Sequence, residues 1–69
     1  MTYFAQNVKL LARAYLGSEN KLAIKMGITR QSLSIILKTN NPNLKTLIKI
    51  HEIFNISIDD LVFKELSVK

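Results

Sequence analysis

The side chains able to do chemistry in this chain are informative first by what they cannot assemble. His51 is the only histidine, and its neighbour Glu52 stands at i+1, on a different side of a helix, so the two form no general-base pair. Ser18, Ser32, Ser34, Ser57 and Ser67 have no second histidine or lysine arrangement that would mark one of them as a nucleophile. Cysteine is absent, which excludes disulfides and thiolate zinc sites. No glycine-rich phosphate loop and no His-Glu-x-x-His pair occurs. We assign no catalytic residue, metal ligand or cofactor. What remains is hydrogen-bonding chemistry concentrated in one run, Thr29-Arg30-Gln31-Ser32. Arg30 and Gln31 carry planar forks that make two parallel hydrogen bonds at once, and neither suits an apolar core.

That run must be held by the elements around it. Leu22, Ala23 and Met26 share one helical face, and Leu33, Ile36 and Leu37 share another. Between them Gly27 follows the last periodic residue of the first face, where a left-handed residue commonly ends a helix. Ile28 plugs the corner, and Thr29 is placed to cap the next helix. Two short helices joined by a glycine turn make a helix-turn-helix arrangement, with Arg30 and Gln31 opening its second helix, expected to run to about Lys38.

The rest of the chain reads as three more helices. From Tyr3 to Leu16, Phe4, Val8, Leu11, Ala12 and Tyr15 recur at helical spacing, leaving Gln6, Asn7, Lys9 and Arg13 on other sides. Gly17 ends that helix, and Ser18 caps the next. Thr39-Asn40-Asn41-Pro42 is the one clear loop. Asn43 then caps a helix bearing Leu44, Leu47, Ile50 and Phe54, with Asn55 as a left-handed stop. Ser57 opens a last helix, where Asp60 completes a variant capping box and Asp59 and Asp60 favour the positive end. The expectation is an all-α fold, five short helices around one core, as a single domain over residues 1–69.

At 69 residues a chain has room for one domain and a small core. No stretch approaches the roughly 18 apolar residues of a membrane span, and the expected setting is the cytoplasm. The net charge of +5 favours an anionic partner. Its distribution sharpens that reading. Lys9, Arg13, Lys21, Lys25, Arg30, Lys38, Lys45 and Lys49 precede His51 against Glu19 alone, whereas Glu52, Asp59, Asp60 and Glu65 follow it.

The pattern Leu-Ala-x-x-x-Gly-Ile/Val-Thr/Ser, standing here as Leu22, Ala23, Gly27, Ile28 and Thr29, resembles the helix-turn-helix family of lambdoid phage repressors and Cro, and the resemblance extends from Val8 to Val62. It implies a recognition helix in the major groove of a double-stranded DNA operator, with base-reading positions at Arg30, Gln31 and Ile35. Arg30 matches guanine O6 and N7, Gln31 matches adenine N6 and N7, and Ile35 can meet a thymine methyl. Thr29, Ser32, Lys38, Asn40, Asn41 and Asn43 fall where relatives approach phosphates, and Ser18 and Lys21 lie at the helix that crosses the backbone. The size of the chain resembles Cro or another stand-alone small regulator.

The departures from the family pattern are specific. Glu19 stands where relatives usually carry a phosphate-touching Gln. The glycine common after the third helix is replaced near Thr39. Ala12 and Leu37 occupy positions that in many relatives hold an Arg–Glu pair, a joint replacement that strands no buried charge. With 48% hydrophobic residues, not all of Ile35, Ile48, Ile53, Val62, Phe63, Leu66 and Val68 can be buried in one small core. We expect Phe63, Leu66 and Val68 to be shared with a second copy, as in a Cro-like homodimer. The alternative is an antirepressor or modulator that binds another repressor protein through Glu19 and Ile35.

Overall fold

A computed structural model of the chain describes residues 3–40 and 42–66, and within them every regular element is helical. Helix α1 spans Phe4–Leu11 and runs on as a π-helical segment, Ala12–Leu16; α2 spans Glu19–Met26, α3 Arg30–Thr39, α4 Leu44–Phe54 and α5 Ile58–Phe63. This is the all-α, five-helix arrangement expected. Its core is made by Phe4, Val8 and Leu11 of α1, Leu22 and Met26 of α2, Leu33 and Leu37 of α3, Ile50 of α4 and Leu61 of α5. Ala12 and Leu37 are both buried in it, as their joint loss of charge anticipates.

The stops and starts follow local chemistry. Ser18, Thr29, Asn43 and Ser57 each accept a backbone N–H three residues on, from Lys21, Ser32, Thr46 and Asp60 respectively. Such a cap satisfies one of the donors that a helix start leaves unpaired. At the other ends Gly27 (φ 73°), Asn40 (φ 53°) and Asn55 (φ 56°) take the left-handed conformation. Asn40 thereby does the job of the glycine missing after α3. Lys49 donates from Nζ to the Met26 carbonyl at 2.7 Å, so α4 caps the carbonyl end of α2 with a cation.

Four expectations about placement are corrected. Tyr15 does not continue the α1 stripe: it is 65% exposed, because the wider i→i+5 turn beginning at Ala12 rotates later residues off a 3.6-residue register. Its ring instead leans on the rim of Phe54, centroids 6.4 Å apart. Leu44 is exposed: the inward stripe of α4 begins at Leu47, which packs against the core. Asn7, read as an outer residue, is wholly buried. Its Nδ2 donates to the carbonyls of Leu61 and Lys64, both at 2.7 Å, and its Oδ1 accepts the Leu66 N–H at 3.0 Å. One side chain thus meets three backbone groups and fastens the segment Leu61–Leu66 to α1. Leu66, expected beyond the core, packs against it, while Phe63 faces outwards, 72% exposed. Val68 lies outside the described residues.

Candidate nucleic-acid interface

Helix α3 buries Leu33 and Leu37 and turns Arg30, Gln31, Ser32, Ser34, Ile35, Lys38 and Thr39 to the surface. The split is the ordinary consequence of apolar residues at i and i+4 on a ten-residue helix. Helices α2 and α3 pack against each other across the Gly27 turn. The Glu19 carboxylate at the start of α2 lies 3.6 Å from the Arg30 guanidinium at the start of α3.

The short polar residues at this surface are partly committed. Thr29 Oγ1 accepts the Ser32 N–H at 3.0 Å and donates to Ser32 Oγ at 3.0 Å. Both hydroxyls keep lone pairs and surface access. Ser18 and Asn43 accept the caps already described, so what their helix starts offer a ligand is the remaining backbone N–H groups. Lys21 and Lys38 are exposed. Gln31 is exposed and makes no side-chain hydrogen bond among the described residues. Ile35 is 59% exposed on the same face, one turn from Gln31, so a fork and an apolar tip stand side by side. Asn40 Oδ1 accepts the Ala5 N–H at 2.9 Å, capping α1 from across the fold. Asn41 lies outside the described residues.

Within its own chain Glu19 stands between two arginines. One oxygen lies 3.5 Å from Arg13 of the π segment and the other 3.6 Å from Arg30, and the side chain is only 14% exposed. Arg30 also donates from Nη1 to Ser34 Oγ. Wet ion pairs of this kind are worth about 0–1 kcal/mol each, so they orient side chains rather than hold the fold. Residues that the sequence reading left out, Lys9, Arg13 and Ser34, line this region with Arg30 and Lys38. The signal for them was present in the i, i+4 spacing of Lys9 with Arg13 and the i, i+4, i+8 spacing of Arg30, Ser34 and Lys38.

Among the described residues no group of histidine, cysteine, aspartate or glutamate could hold a metal ion, and no helix is long and apolar enough to cross a membrane. A helix-turn-helix whose second helix exposes forked side chains in a basic surface defines a DNA-binding domain. More narrowly, the chain matches the family model of the Cro/C1-type HTH DNA-binding domain over residues 8–63, and it belongs to that family. No curated protein and no solved structure matches it.

Proposed function

We propose that this protein is a sequence-specific regulator of the Cro and phage-repressor type, which docks α3 in the major groove of an operator. The observation that carries this reading is the outer face of α3: Arg30, Gln31 and Ile35 stand exposed on a helix whose opposite side is locked into the core. Side chains with two-point hydrogen bonding and a thymine-sized apolar tip supply discrimination between base pairs. Lys21, Lys38, Thr29, Ser32 and the N-terminal amides of α2 and α4 supply contacts to the phosphates beside it. The exposed Phe63 fits a two-fold dimer that sets two recognition helices about 34 Å apart.

The test is a pair of substitutions measured on the preferred site. Arg30→Ala should cost about 1–3 kcal/mol and relax selectivity at one base pair. Lys38→Ala should weaken all sequences alike and flatten the salt dependence by about one unit. Equal loss on every sequence with Arg30→Ala would remove base reading from that residue.

A second reading is favoured by the exposure of Ile35: the same face would anchor on another repressor protein, as an antirepressor or modulator does. There Ile35→Ala would cost about 2 kcal/mol or more toward the protein. Retention of a partner from a nuclease-treated lysate, lost with that substitution, would favour it over DNA reading.

A further inference from the structure

One anion sits in the middle of the cationic face that the DNA reading uses. A groove of about 370 Å³ opens between α1 with its π segment and α3, lined by Lys9, Arg13, Glu19, Arg30, Ser34 and Lys38. Two ridges of cations face each other across it, and Glu19 lies between the arginines with one oxygen toward each, at 3.5 and 3.6 Å. A carboxylate and the non-bridging oxygens of a phosphodiester offer a guanidinium the same partner: two anionic acceptors in a fork. We propose that this groove is a phosphodiester seat which the free protein fills with its own Glu19 carboxylate, making Glu19 the residue that suppresses binding to duplexes of the wrong sequence.

The argument rests on the DNA reading above and turns on what each kind of duplex returns. A duplex of arbitrary sequence brings phosphates alone. To use the seat it must part Arg13 and Arg30 from Glu19 and accept a carboxylate nearby, so the net gain in neutralised phosphates falls by about one. A duplex of the right sequence also gives the Arg30 fork a guanine edge, which replaces the lost pair with two directed hydrogen bonds. The carboxylate therefore penalises unspecific binding more than specific binding. Specificity of this sort comes from an added repulsion as much as from new attraction.

The experiment is a fluorescence-anisotropy titration of one mixed-sequence duplex across a salt series with four proteins: wild type, Glu19→Gln, Arg13→Gln and Glu52→Gln. Glu52 is exposed on α4 outside the groove and controls for the change in net charge. Glu19→Gln should steepen the dependence of log affinity on log salt by about 0.9, so that a fourfold rise in salt costs it about 3.5 times more affinity than it costs wild type. At low salt the variant should bind this duplex more tightly. Arg13→Gln removes an exposed ligand of the seat and should flatten the slope by about the same amount, which keeps the test open if Glu19→Gln does not fold. Glu52→Gln should keep the wild-type slope. Binding by all four with equal slopes overturns the seat while leaving DNA reading standing, and the same holds if Glu52→Gln steepens as much as Glu19→Gln. Failure of all four to bind this duplex even at the lowest salt, together with recovery of no site from a random duplex pool, overturns the DNA reading itself.

Discussion

Replacing Asn7 by alanine should come close to unfolding this protein, although Asn7 touches no ligand. The side chain satisfies the Leu61 carbonyl in a buried setting and the Lys64 carbonyl and Leu66 N–H in partly buried ones. Truncation leaves the first without a partner, at about 1–3 kcal/mol, and forfeits the other two, which reach water, at about 1 kcal/mol each. The sum is about 3–5 kcal/mol. A domain of 69 residues has roughly 3–10 kcal/mol in all, at 0.05–0.15 kcal/mol per residue. Asn7→Asp should be at least as harmful, because it turns a donor that faces two carbonyls into an acceptor. Urea melts followed by far-ultraviolet circular dichroism give the loss, and amide exchange at Leu66 shows where it falls. A loss below about 1 kcal/mol, with Leu66 still protected, would refute the idea that Asn7 fastens the segment from Leu61 to Leu66.

Two further outcomes follow from the same structure. Asn40→Ala should cost about 2 kcal/mol, from the lost cap on Ala5 and a left-handed backbone that alanine resists; Asn40→Gly, relieved of the second penalty, should cost less in the same melts. Phe63→Asp should leave the monomer fold intact, since Phe63 is outside the core, and should lower self-association in sedimentation; a wild type that stays monomeric at high micromolar concentration would contradict the proposed dimer.

The parts of this fold that were legible in the sequence are those fixed by neighbours along the chain. Ser18, Thr29, Asn43 and Ser57 cap helices through bonds three residues away, and Gly27 and Asn55 end them through their own backbone. Periodicity also placed Leu22, Leu33 and Ile50 inside and Ile35 outside. Asn7 was misread because its partners lie more than fifty residues on, and nothing in its local pattern announces them. The bond from the Ala5 N–H to Asn40 Oδ1 is hidden from the local pattern in the same way, because 35 residues separate its partners. Glu19 was recognised as an anion out of place, but its two arginines come from different helices, and only packing brings them to it. Tyr15 and Leu44 were over-assigned because a 3.6-residue repeat is blind to a π turn and to where a core ends.

The central claim is that α3 reads sequence, and selection of binding sites from a random duplex pool by the purified protein alone tests it most directly. The account predicts recovery of one preferred sequence with a guanine and an adjacent adenine opposite the Arg30 and Gln31 positions, in two half-sites if the dimer forms. Recovery of no preferred sequence, under salt where the protein still binds duplex, would contradict it.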